Sequence, residues 1–186
     1  MKRIVTIVLF SFLVCLHAMP GAQGLIDLAP KALVKVMKSD FPGCASEEIP
    51  VAQFSDWNPA LQGRFYRIVR GVEEAGFIFV GRVKTCRSGG CSIVGGGRDG
   101  DSEYMDYFAL ISLQRKITRV VIYNYQATHG EEVTAKYWLR QFVGVSSKQQ
   151  LRVGKNIDAI SGATISTNSF TENIQLILGV LDSYPK

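Results

Sequence analysis

A run of small residues opening onto a long amphipathic stripe constrains this chain more than any other feature. From Asp158 to Thr167 the sequence reads Asp-Ala-Ile-Ser-Gly-Ala-Thr-Ile-Ser-Thr, and beyond it Phe170, Ile174, Ile177, Leu178 and Leu181 recur at i, i+4, i+7, i+8 and i+11. That recurrence is the apolar face of a helix packed on a core. Gly162 and Ala163 remove side-chain bulk where the chain approaches the helix, so backbone N–H groups can come close to a phosphate there. Two helix starts are open. Ser169 with Glu172 three residues on reads as a capping box, which starts the helix a turn or so after Thr164 and leaves Thr164 little of the dipole. With Thr164 or Ser166 as N-cap, the first amides lie beside the Gly-Ala pair instead. A small-residue turn that caps a helix and holds no ligand is the plain alternative.

Asp158 through Thr164 form a D-x-x-S-G-A-T string. It resembles the flavinylation motif of the FMN-binding domain family, which includes the C subunit of the sodium-translocating NADH:quinone reductase and the G subunit of the Rnf complex. There a hydroxyl residue carries FMN through a phosphoester bond, and the last Thr of S-G-A-T is the acceptor. The resemblance implies Thr164 as acceptor, with Ser166 as the second candidate hydroxyl. It also implies a separate flavin transferase that recognises Asp158, Ser161 and Gly162, with Ala163 completing the motif.

A second resemblance lies upstream. Ala127-Thr128-His129-Gly130-Glu131, followed by Tyr137-Trp138-Leu139-Arg140-Gln141-Phe142-Val143-Gly144, looks like the family's E-T-P-G loop and the aromatic helix ending in Q-F-x-G. Thr128 and Gly130 are the matching positions and become candidate flavin contacts, or simply a tight loop before a helix. Ala127 replaces the usual Glu and His129 the usual Pro, so a hydrogen bond made by that Glu is missing. Tyr137 and Trp138 read as packing residues more readily than as a stacking platform. His129 either tunes flavin protonation or sits on the surface.

The N-terminus carries Met1-Lys2-Arg3 and then an apolar run from Ile4 to Ala18. A charged start and an h-region close to the ~7–15-residue range describe a signal peptide, too short for the ~20 residues that span a bilayer. Residues 1–24 are expected to be that signal, with Ala22-Gln23-Gly24 preceding the cut and Ala18 an alternative. A retained anchor is the competing reading, because the family members named above keep a membrane helix. Cys15 lacks the small residues that precede a lipidated cysteine and is read as part of the signal. Either way the expected location is periplasmic or on the outer face of the cytoplasmic membrane.

Residues 25–186 fit one domain by length, and 47% hydrophobic residues suffice for a core. The formal charge of +5 falls to +3 without Lys2 and Arg3. No basic run with interleaved aromatics occurs, and Lys148, Arg152 and Lys155 are spaced as a solvated face, so nucleic acid is not an expected partner. Cys86 and Cys91 flank a polar turn and read as a small disulfide loop, with a redox pair facing the flavin as the alternative. Cys44 is left over as a buried or unpaired thiol. The glycines between Gly89 and Gly100 lack the Lys-Ser/Thr of a Walker loop.

Along the chain, an amphipathic helix is expected from Leu25 to Phe41, then strands over Gly63 to Arg70, Phe77 to Val83, Tyr104 to Leu113 and Ile117 to Tyr125. The last two form a hairpin about Gln114-Arg115-Lys116, so the fold class is α+β with a mostly antiparallel sheet. No Rossmann G-x-G-x-x-G occurs, which disfavours direct NADH oxidation. The resemblance therefore implies an exported flavoprotein that relays electrons through covalent FMN to a redox partner protein or a membrane electron-transfer complex. The alternative is an exported non-redox binding domain that has lost the cofactor.

Overall fold

A computed structural model describes residues 24–87 and 102–185. The apolar N-terminal segment before Gly24, the Cys91 half of the cysteine pair and the glycine cluster lie outside the described residues. The strands are β1 Ala45–Glu48, β2 Gln62–Arg70, β3 Glu73–Arg87, β4 Ser102–Ile111 and β5 Ile117–Gln126; the helices are α1 Lys31–Asp40, α2 Lys136–Leu139 and α3 Thr164–Asp182. The five strands form one antiparallel sheet in the order β1-β2-β3-β4-β5. The fold is α+β, as expected.

Alternation along the strands separates two cores. Phe77, Phe79, Val83, Met105, Tyr107, Ala109 and Ile111 face α3, meeting Phe170, Ile174, Ile177 and Leu178 in the larger cluster. Ile78, Val80, Phe108 and Leu110 point the other way, against Leu33 of α1 and its neighbours. The period-2 pattern of β3 and β4 is thus buried on both faces, which accounts for their nearly continuous apolar composition. On the α1 face the register sets Arg82 opposite Asp106. Both are buried, and the guanidinium donates to the two carboxylate oxygens at 2.6 and 2.9 Å, with Asn124 donating at 2.8 Å. A bidentate charge pair whose carboxylate accepts three hydrogen bonds is one that an interior tolerates.

Three expectations need correction. The first helix begins at Lys31, not Leu25, because Pro30 restricts the residue before it to extended backbone and suits the position ahead of a helix. β1 was not expected from Ala45-Ser46-Glu47-Glu48; all four residues are exposed. It is held by pairing to β2 and by Arg64–Glu48 and Arg67–Glu47 ion pairs. The aromatic helix is short, since α2 runs for a single turn before tightening into a 3-10 turn over Arg140–Phe142.

Candidate functional site

The Ala163 N–H donates to the Ile160 carbonyl at 3.1 Å, closing a turn in which Gly162 has φ +80°. That is the third position of a type II turn, where positive φ calls for glycine. No atom lies within 4 Å of the place a Gly162 Cβ would occupy. The glycine therefore serves the backbone, and the space above the turn is open.

α3 begins immediately afterwards, and the Thr167 N–H donates to the Ala163 carbonyl at 2.9 Å. The N-cap is Ala163, with no side-chain cap and no acid in the first turn. The amides of Thr164, Ile165 and Ser166 thus have no intrahelical partner, and they carry the positive end of the helix dipole. Of the two starts left open by the sequence, the capping box at Ser169 and Glu172 does not begin the helix, and the start beside Thr164 does, with its N-cap one residue earlier at Ala163. Ala163, Ser166 and Thr167 are buried, and their packing draws the helix nearly two turns further back than the capping box indicates. Thr164 and Ser161 are exposed, whereas Ser166 is only 5% exposed. The two candidate hydroxyls, two residues apart, thus have opposite environments.

The loop expected to touch the flavin packs on this turn. Gly130 has φ +89° and opens a 3-10 turn over Glu131–Thr134. A Cβ there would stand 3.0 Å from Ala163 Cβ, 3.2 Å from Ser166 Oγ and 3.2 Å from Tyr125 Oη. Only a residue without a side chain lets the two motifs touch so closely. Thr128 is exposed, and its N–H donates to a Glu103 carboxylate oxygen at 3.0 Å while its hydroxyl donates to the same oxygen. A carboxylate from β4 thus holds the Thr128 end of the loop. Nothing local in the sequence points to Glu103, which lies across the glycine-rich segment from β3.

Asp158 is exposed, and its backbone is clamped from both sides. Its N–H donates to Gln141 Oε1 at 2.8 Å, and its carbonyl accepts from Trp138 Nε1 at 2.9 Å. Trp138 is wholly buried, edge-on to Phe142 and tilted against Phe170, so its role is packing and holding the motif. Tyr137 is exposed and so is His129. Tyr125 completes the site: its hydroxyl donates to the His129 carbonyl at 2.5 Å and lies 3.3 Å from Ser166 Oγ. Burial raises the Tyr125 pKa above the usual phenol value, the Ser166 hydrogen bond partly offsets this, and Glu103, Glu132 and Glu131 add to it. Among the described residues no cluster of His, Cys, Asp and Glu could hold a metal ion.

The arrangement fits a phosphate monoester: unpartnered amides, a residue-free approach over Gly162, and an exposed hydroxyl at the helix start. Comparison of the full chain with curated proteins gave no match. Residues 103–179 match the sequence profile of the FMN-binding domain family. The match takes in β4, β5, the Gly130 loop, α2 and most of α3, while β3 pairs with β4 from outside it. That match supports an FMN-binding domain over this segment of the chain, and Thr128, Gly130 and the Asp158–Thr164 motif all fall inside it.

Proposed function

We propose that the chain is an exported flavoprotein that passes electrons through FMN attached to Thr164 by a phosphoester. The observation that carries this reading is the contrast between the two hydroxyls at the start of α3. Thr164 is exposed beside uncapped amides; Ser166 is buried and hydrogen-bonded. Attachment forms a bond from Thr164 Oγ1 to phosphorus, with loss of the hydroxyl proton and of a leaving group from phosphorus. Direct condensation would expel water and runs uphill in water, so the donor is an activated flavin nucleotide of the pyrophosphate class and the installer is a separate flavin transferase. Bound flavin supplies the redox chemistry, and the protein supplies orientation and exposure. The Ser161-Gly162 turn keeps the approach clear, and the amides of the first turn stabilise the negative phosphate. The clamp of Trp138 and Gln141 on Asp158 fixes the recognised segment.

The apolar run Ile4 to Ala18 supports export. Among the described residues no helix is long and apolar enough to cross a membrane. The electron partner is another redox protein or a membrane electron-transfer complex. A second reading, an exported binding domain without cofactor, is favoured only by Ala127 and His129.

Co-expression with a flavin transferase followed by intact-mass measurement tests the proposal. Wild type and Ser166→Ala should gain the mass of FMN less one water, and Thr164→Ala should gain nothing. Wild-type protein that stays colourless and unmodified overturns covalent attachment. A gain lost only in Ser166→Ala moves the acceptor to the other hydroxyl.

A further inference from the structure

We propose that Tyr125 is a positioning residue for flavin attachment, tying the Gly130 loop to the first turn of α3 through Ser166 and so setting how Thr164 is presented. The inference rests on the reading of Thr164 as acceptor. A phenol has one proton to give. Tyr125 gives it to the His129 carbonyl at 2.5 Å, so the 3.3 Å contact with Ser166 is one in which the serine hydroxyl donates to the phenol oxygen. The chain of bonds runs from Ser166 to Tyr125 to the His129 carbonyl, linking α3 to the loop through the end of β5.

What this link achieves follows from what the helix lacks. A capping side chain would fix the first turn but occupy its amides, and those amides are the donors a phosphate needs. α3 has no such cap. Tyr125 instead grips the turn by a side chain, through a hydroxyl on the buried side of the helix, and leaves every first-turn N–H open. Gly130, whose missing Cβ would lie 3.0 Å from Ala163 and 3.2 Å from Ser166 Oγ, closes the same joint by contact. The joint is therefore stiff where the helix is uncapped.

The test measures the initial rate of FMN attachment by intact mass, with purified transferase at saturating concentration, together with amide hydrogen exchange in the unmodified protein. Tyr125→Phe keeps the ring and removes the link. It should slow attachment by roughly fivefold, the effect of one net hydrogen bond, and speed exchange at residues 164–167 while the β2–β3 amides stay unchanged. Ser166→Ala should slow attachment similarly, and the double variant should be no slower than the slower single, because both remove one shared bond. Tyr107→Phe is the control: it also deletes a phenol bonded to α3, at Asn173, and should leave the rate unchanged. Equal rates for wild type and Tyr125→Phe, or a double variant slowed by the product of the singles, overturn the positioning role alone. An unmodified wild type overturns the acceptor reading and this inference with it.

Discussion

The two ends of α3 are treated in opposite ways. At its C-terminus Arg115, from the β4–β5 turn, is buried and directs its guanidinium at the carbonyls of Leu181, Tyr184 and Pro185. A cation there meets the negative end of the dipole, bonding one carbonyl of the last helical turn and two just beyond it. Arg115 adopts φ +58° to do so, as the only non-glycine residue with positive φ among those described. At the N-terminus there is no cap, no acid and an exposed threonine. The difference teaches that stability has been placed at the closed end, and that the open end keeps unsatisfied donors which a bound phosphate would satisfy.

The sharpest way to break this contrast is to open the closed end. Arg115→Ala should lower unfolding free energy by roughly 3 kcal/mol, the scale of hydrogen bonds to a buried charged group. Urea unfolding measures it. Flavin attachment to the folded fraction should persist; parallel loss of attachment would show that the two ends are coupled.

Gly130→Ala probes the open end. Positive φ and the tight approach to Ala163 and Ser166 predict a cost of about 1–2 kcal/mol. Attachment should fall by more than that loss of stability explains, because the joint next to Thr164 is displaced. Equal retention of attachment in Gly130→Ala and Arg115→Ala would erase the distinction between the ends.

The smallest effect concerns the middle of the helix. Tyr107 is fully buried, donates to Asn173 at 2.6 Å, and burial raises its pKa well above the ordinary phenol value. The folded protein holds a proton that the unfolded chain releases above about pH 10. This contribution is complete below that pH and drains away as pH rises towards the folded value. Tyr107→Phe should therefore cost about 1 kcal/mol near neutrality, yet lose stability less steeply than wild type between about pH 9 and 11. Tyr123 and Tyr125, also raised chiefly by burial, leave a residual slope in the variant. Identical slopes would mean that Tyr107 does not govern the alkaline limb.

The sequence disclosed those parts of the fold whose cause is local. β2 to β5 announce themselves by aromatic and β-branched residues, and the stripe from Phe170 to Leu181 lies buried as its spacing requires. β1 carries no such signal, since Ala45-Ser46-Glu47-Glu48 becomes a strand through its backbone pairing with β2, supported by ion pairs to arginines on that strand. Which of its two open starts α3 uses was hidden for a similar reason. Ser169 and Glu172 form a good local cap, but burial of Ala163 and Ser166 beneath the Gly130 loop outweighs it. In the site, the motif residues could be named from their order, whereas Glu103 and the Tyr125 hydroxyl act through contacts between segments distant in the chain. Those contacts depend on the sheet register and have no local signature.

One hairpin holds both ends of the long helix. Its turn supplies Arg115 to the last carbonyls, and the far end of β5 supplies Tyr125 to the first turn. Nineteen helical residues extend about 28 Å, and the ten residues of β5 about 33 Å, so one strand and its turn can reach both ends of a helix that rests mainly on β3. On the proposed reading, a cofactor bonded to a helix held at both ends would move only as the whole domain moves.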